Sequence, residues 1–324
     1  MSKVWGFQLK WRGQIWWCTL LCACMVTILI SICWLFDRSK TLLPPSGQIC
    51  VRFMGGLGNL MFQYASSYGI AEAKHMAFGM AKSDKLWSVF PGLKAVRTEH
   101  VCSGYRIHTE KRACAFDQET MDFLASDRVQ LYGYLQSWKY FSHVENDIRL
   151  QFTFNHQTLE KARKLLTQSK RLVRKNDDAH DEVIAIGVHV RRTDKLSAES
   201  ISVGYVVPGK AYLDKAMNYF RRKFRRPLIF IVCSDDEEWT KDNIKDRDTV
   251  IVSRNSAEVD MALLSLCDHN IITIGTFGWW SAFLSNGTTV YYGNSFRSGS
   301  WLEKNAASDP RQTHFFPPHW ISMT

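Results

Sequence analysis

The apolar positions of this chain follow two regimes. Residues 13–36 carry no charged side chain, and 15–36 is dominated by Leu, Ile, Val, Cys and Trp. A helix of that length rises roughly 33 Å, against a bilayer hydrocarbon core of about 30 Å. Trp16, Trp17 and Trp34 stand at its two ends, where aromatic side chains gather at membrane interfaces. The expectation is a membrane span. Lys3, Lys10 and Arg12 precede it while Asp37, Arg38 and Lys40 follow it, so the basic excess is N-terminal. The positive-inside rule then leaves the tail 1–12 in the cytoplasm and puts the rest across the membrane. A cleaved signal peptide is the rival reading; its apolar core would be too long, and no small-x-small site follows.

Beyond residue 40 strand-like and helix-like segments alternate. Strands are expected at 49–54, 129–135, 183–190, 228–233, 249–252 and 270–274, and helices at 60–74, 159–175, 211–224, 257–267 and 279–284. That alternation predicts an α/β protein with parallel sheets. Pro44-Pro45 marks a short stem, 37–48, and the polar stretch 175–181 divides the remainder into halves, 49–178 and 179–324. Right-handed crossovers keep parallel strands in one sense, so the loops after them collect on one edge, where such folds bind ligands.

With 324 residues, 46% hydrophobic, the chain is long enough for substantial cores. Its 41 basic and 31 acidic residues give +10; the first 40 residues hold five and one of these, leaving 36 and 30, or +6. The dense cluster Arg221, Arg222, Lys223, Arg225 and Arg226 lies beside the apolar stripe Leu213, Ala216, Met217, Phe220 and Phe224, which reads as the solvated end of a helix and does not imply nucleic acid. Of nine cysteines, four fall in the apolar N-terminal run. Cys50 and Cys233 lie in strand-like runs and are expected as buried thiols; Cys102 with Cys114 is the expected pair, and no spacing resembles a zinc site.

Three strand ends in the second half should share one cleft. The first carries His189, Arg191, Arg192 and Asp194, the second Ser234-Asp235-Asp236, and the third Gly275-Thr276-Phe277-Gly278. Arginine offers charged planar forks for phosphate oxygens, a strand-end Asp can accept from a guanine ring, and a Gly/Thr turn opening a helix presents N–H groups to phosphate. Together they fit a nucleoside diphosphate. The turn Gly55-Gly56-Leu57-Gly58-Asn59 resembles a dinucleotide fingerprint but has Met61 at the third glycine, so a nicotinamide oxidoreductase is a weak reading.

Five motifs carry a resemblance: Phe53 to Asn59 with Phe62-Gln63-Tyr64-Ala65; Gly133-Tyr134-Leu135-Gln136-Ser137 with Tyr140-Phe141; His189 to Asp194; Ser234-Asp235-Asp236; and Thr276-Phe277-Gly278-Trp279-Trp280. In this order they are similar to the galactoside α1,2-fucosyltransferases, glycosyltransferase family 11. The resemblance implies a GT-B-like α/β fold, with two Rossmann-like halves facing a cleft behind one N-terminal transmembrane helix. It also implies a single-pass type II Golgi membrane enzyme with a lumenal catalytic domain. GDP-fucose would be the donor and a galactose-terminated glycan the acceptor. Arg191 and Arg192 would bind the diphosphate, His189 and Asp235 would lie by the guanine, Thr276 and Phe277 would hold phosphate and ribose, and Asn59 would face the fucose or the incoming hydroxyl. Asp194 is expected to orient the arginine pair. Leu60 stands where the family commonly has Gln, and Thr193 where vertebrate members have Gly.

An α-linked product from a β-linked donor implies inversion by one in-line displacement, which needs a base for the acceptor hydroxyl. Glu199 is the candidate. Asp246-Arg247-Asp248 has the form of a metal-binding signature, but Arg247 partly neutralises it; no metal is expected to be required. Asn286-Gly287-Thr288 is a glycosylation sequon. Transfer to another linkage, or a catalytically silent sugar- or nucleotide-binding membrane protein, are the alternatives.

Overall fold

Strand β1 (Gln48–Val51) is buried at its last three positions, and Gly55, at φ +87°, turns the chain into the helix Leu57–Lys74. The positive φ favours glycine there. That helix is buried along most of its length, including Gln63, Ser66 and Ser67, because it packs between the first sheet and the helix Thr276–Ser285 of the second half rather than on a surface. The computed structural model describes residues 47–99, 102–173, 183–306 and 312–324. The expected cytoplasmic tail, membrane span, most of the stem and the dividing stretch 175–181 lie outside the described residues. Among those described, no helix is long and apolar enough to cross a membrane. The chain divides after Pro45, and Ser46–Thr324 forms one unit.

Five strands of the first half, β1, β2 (Ala77–Ala81), β3 (Val96–Thr98), β4 (Arg106–Thr109) and β5 (Arg128–Tyr132), form a sheet in the order β3-β2-β1-β5-β4. The second half builds β6 (Ile184–Val190), β7 (Leu228–Ser234), β8 (Thr249–Val252), β9 (His269–Ile272), β10 (Thr289–Tyr292) and β11 (Ile321–Met323) into a sheet in the order β11-β10-β9-β6-β7-β8. Every neighbouring pair in both sheets is parallel. The second order is that of the doubly wound nucleotide-binding fold, and its direction reverses between β6 and β9. In the first sheet the reversal lies between β1 and β5. This is the α/β, GT-B-like architecture that the sequence implied.

The halves share a continuous apolar core. Phe62, on the helix after β1, meets Trp279 and Trp280, on the helix Thr276–Ser285 after β9, with ring centroids 4.5 and 5.0 Å apart. Phe141 stacks on Trp280 at 5.6 Å, and all four rings are buried. Arg149 donates to the carbonyl of Phe283 and lies over its ring, tying the helix Glu145–Gln151 to the far half. The C-terminal segment adds another tie: the carbonyls of Thr313 and His314 accept from Trp138 Nε1 (2.9 Å) and Ser137 Oγ (2.7 Å) before the chain ends in β11.

One expected pairing is corrected. Cys102 bonds Cys50 rather than Cys114, with Cα atoms 5.7 Å apart, so Cys50 is not a free thiol despite its buried strand position. Cys114 instead donates to Gln136 Oε1 at 3.2 Å. Cys233 is the buried thiol expected; Cys267, for which no state was expected, is also a buried thiol, and burial pushes both well up from the ordinary range.

Candidate active site

Three adjacent strands, β9, β6 and β7, end side by side, so the loops expected to gather on one edge of the sheet do so. The chain leaves β6 at Val190, where Arg191 N donates to Oγ1 of the buried Thr273 at the end of β9 (3.0 Å). Arg192 N donates to Asp235 Oδ1 at the end of β7 (2.8 Å). Thr193 Oγ1 donates to the other oxygen of Asp235 at 2.6 Å. Asp235 therefore fixes the arginine loop with both oxygens. Thr193 is part of that clamp.

The two arginines are held differently. Arg191 donates from Nε and Nη2 to the two oxygens of Asp194, both at 2.9 Å, in a bidentate fork, and its side chain is 34% exposed. Burial pushes the Asp194 carboxyl up, but the bonds and charges of Arg191 and Lys195 more than reverse this and leave it below the usual carboxylate range. Arg192 is only 13% exposed. Its Nε donates to Asp236 Oδ2 (3.2 Å), its Nη1 to the carbonyl of Pro208 (3.4 Å), and its guanidinium lies 3.7 Å over the ring of Trp239. Asp194 thus orients one member of the pair; Asp236 and Trp239 orient the other. Asp236 also caps the helix Glu237–Asn243 by accepting from Trp239 N.

His189 is buried at the last turn of β6, its ring stacked on Phe277 with centroids 5.0 Å apart. A Cβ at Gly278 would lie 2.6 Å from His189 Nδ1, so the glycine lets the helix Thr276–Ser285 close on the ring. Burial, and then the charge of Arg191, pull His189 down to about 3, so it is neutral near pH 7. Its Nδ1 has no hydrogen-bond partner among the described residues.

Asn59 joins the switch points of the two sheets. Its Oδ1 accepts from Thr276 Oγ1 (2.7 Å) after β9 and from Gln136 Nε2 (3.0 Å) after β5. A Cβ at Gly58 would stand 2.7 Å from the backbone of Thr276, whereas one at Gly56 meets nothing. The glycine turn thus serves the docking of two helix starts. Gln63 holds it from below, accepting from Met54 N and donating to the carbonyls of Met54 and Asn59. Leu60 is buried in the core and takes no part in the site.

Glu199 is exposed on the first turn of the helix Ala198–Val203. Asp246 and Asp248 both pair with Arg221, at 3.0 and 2.7 Å, away from the strand ends. No cluster of three metal-ligating side chains occurs among the described residues. Asn286 is exposed in the left-handed position that ends the helix Thr276–Ser285. Trp239, Thr273 and Glu110, described below, were not picked out from the sequence, and Gln63 stood in a motif without a role. Only Trp239 carried a signal, an aromatic three residues past a strand-end Asp.

A sequence model of Glycosyl transferase family 11 matches residues 19–323. "Galactoside 2-alpha-L-fucosyltransferase SEC1" of Bos taurus is 31% identical over 293 residues, covering 87% of this chain and 75% of the bovine protein. "Galactoside alpha-(1,2)-fucosyltransferase 1" is 33% identical in Sus scrofa and 35% in Alouatta caraya, each match covering 83% of this chain and 73% of the relative. Among solved structures, POFUT1 in complex with GDP-fucose matches at 9% identity and a TM-score of 0.49, covering 77% of this chain and 99% of that one.

Proposed function

Because this chain belongs to glycosyltransferase family 11, we propose that it moves L-fucose from GDP-β-L-fucose to the 2-hydroxyl of a terminal galactose on a glycan, with inversion and without a metal. The observation that carries this reading is the arginine pair at the β6 end, each guanidinium braced by its own carboxylate beside the β6/β9 switch point. The names of the relatives, all galactoside fucosyltransferases, supply the sugar and the linkage.

In the proposed step the acceptor oxygen bonds to C1 of fucose while the bond from C1 to the phosphate oxygen breaks, and the electron pair leaves on GDP. Arg191 and Arg192 meet the charge that develops on the diphosphate, a task for which preformed donors need no reorganisation. Neutral His189, with Phe277, forms the wall for the guanine; Thr276 and the helix start behind it face phosphate and ribose. Asn59 faces the sugar from the opposite half. Among the acids of this rim, Asp194 and Asp236 hold arginines and Asp235 holds the loop. We therefore assign the acceptor's proton to Glu199, exposed beside them. Metal independence is supported by the engagement of Asp246 and Asp248 with Arg221.

We also place the protein in the Golgi membrane as a single-pass type II enzyme, a reading supported by the uncharged run 13–36 and its basic N-terminal flank. The exposed Asn286 is then open to lumenal glycosylation. Full-length protein in membranes, given labelled GDP-fucose and galactose-ended acceptors with a chelator present, should form the α1,2 product. Glu199→Gln should slow it by about 10²-fold or more. An unchanged rate would remove Glu199 from the mechanism, and a requirement for added divalent metal would remove the metal-free step.

A further inference from the structure

Strand β4 ends at Thr109, and the next residue, Glu110, turns its side chain under the loop that follows β5. Its Oε2 accepts from the backbone N–H groups of Tyr134 (2.8 Å) and Leu135 (3.1 Å), and the N–H of Gln136 adds to them. Glu110 and Gly133 fit one another: a Cβ at Gly133, whose φ is +149°, would stand 2.4 Å from Glu110 Cβ. Leu135 is fully buried at φ 52°, a conformation that persists only where its surroundings hold it. The loop ends in Gln136, which bonds Asn59 with one side-chain atom and Cys114 with the other. A single chain of contacts therefore runs from Glu110 through Gln136 to Asn59 and on to Thr276 in the other half.

We propose that Glu110, in its ionised form, is a positioning residue for the transfer reaction: it fixes the turn Gly133–Gln136 and, through Gln136, sets Asn59 against Thr276 at the junction of the two switch points. The inference rests on the function proposed above. The groups facing the carboxyl are Asp117, the Cys114 thiol and the Tyr140 hydroxyl. Burial pushes Glu110 up to about 7; the three backbone N–H groups pull against this, and Asp117 adds to it. Its second oxygen, Oε1, is buried without a partner among the described residues. A proton gained below about pH 7 thus finds no acceptor there, and the bonds from the turn lose their charge assistance, roughly half their strength. The turn then holds Gln136 less firmly and Asn59 loses its register.

The test compares full-length wild type with Glu110→Gln and Glu110→Asp in kcat and kcat/KM for the galactoside acceptor between pH 5.5 and 9, alongside GDP affinity and thermal unfolding. Wild type should lose rate on the acid side with an apparent pKa near 7. Glu110→Gln should be slower by about ten- to a hundredfold above pH 8, as a misplaced group commonly is, with no acid limb near 7 and GDP affinity within about twofold. Glu110→Asp, which keeps the charge, should keep an acid limb and recover part of the rate. A Glu110→Gln enzyme with the wild-type limb overturns the proposal. So does a loss of GDP affinity in step with the rate, which marks a merely structural role. Should wild type transfer no fucose at any pH, the proposed function fails by itself. Amide hydrogen exchange at Tyr134 and Leu135 then decides on Glu110. Protection that weakens below pH 7 in wild type and is indifferent to pH in Glu110→Gln supports its bracing role, and identical profiles overturn it.

Discussion

Arg191 and Arg192 are neighbours in sequence with different surroundings, and their variants should differ accordingly. Arg192 has Nε on Asp236, Nη1 on Pro208 and its face on Trp239. Lysine has no planar fork to reproduce this, so Arg192→Lys should lose about as much kcat as Arg192→Ala, on the order of 10²–10³-fold for one transition-state donor. Arg191→Lys keeps a charge beside Asp194 at a more open position and should retain more activity; steady-state rates with GDP-fucose check the order. Equal rates for the two lysine variants would show that their surroundings do not separate them. Asn59→Ala leaves Thr276 Oγ1 and Gln136 Nε2 without their shared acceptor and should destabilise the fold by about 1–3 kcal/mol, measured by denaturant unfolding. The arginines, His189 and Asp194 were legible in the sequence because a strand end followed by fixed charges has few uses. The clamp that Asp235 places on the arginine loop was not foreseen, because a strand-end carboxylate that holds its own loop has the same local sequence as one that does not. Glu110 was not legible at all: its burial comes from a loop that is 23 residues away in sequence at its nearest contact, Gly133.

At the scale of elements, β6, β7, β8 and β9 were readable in the sequence, most clearly β6 and β7, which are buried along nearly all their length and form long apolar runs. Strands β2, β3, β4, β10 and β11 were missed, since they are only three to five residues long, and β3 and β4 are also largely exposed, with no apolar alternation to mark them. The glycine turn after β1 was recognised, but its role is changed by the contact between two helix starts. Gly58→Ala would force a Cβ against the backbone of Thr276, whereas Gly56→Ala would enter open space at φ −83°. The first should destabilise the fold by about 1–3 kcal/mol and slow catalysis by shifting Asn59; the second should stay within about 1 kcal/mol. Thermal unfolding of the two variants separates these outcomes. Equal destabilisation would mean that the turn, rather than the docking of the helices, sets the requirement for glycine.

For the whole molecule, the Cys50–Cys102 bridge ties β1 to the segment before β4, with 52 residues of separation. Loop-closure entropy puts its contribution at about 4 kcal/mol, so reduction should lower the melting temperature even though the strands remain paired. Proton linkage gives a second whole-molecule expectation. Between about pH 4.5 and 7 the folded chain keeps a proton on Glu110 that the unfolded chain releases, so this contribution to stability declines as pH rises through that window. His189, held down to about 3, acts the other way, and its contribution rises with pH up to about 6.5. Urea unfolding from pH 5 to 6.5 should therefore show a steeper gain in stability for Glu110→Gln than for wild type; parallel curves would contradict the shifted carboxyl. The central claim concerns what the cleft transfers and where. Full-length protein, labelled GDP-fucose and a panel of galactose-ended glycans, followed by linkage analysis of the product, test it most directly. Wild type should form fucose α-linked to the 2-position of the terminal galactose, and Arg192→Ala should form it on the order of 10²–10³-fold more slowly; product at any other position, or undiminished transfer by the variant, would contradict this function.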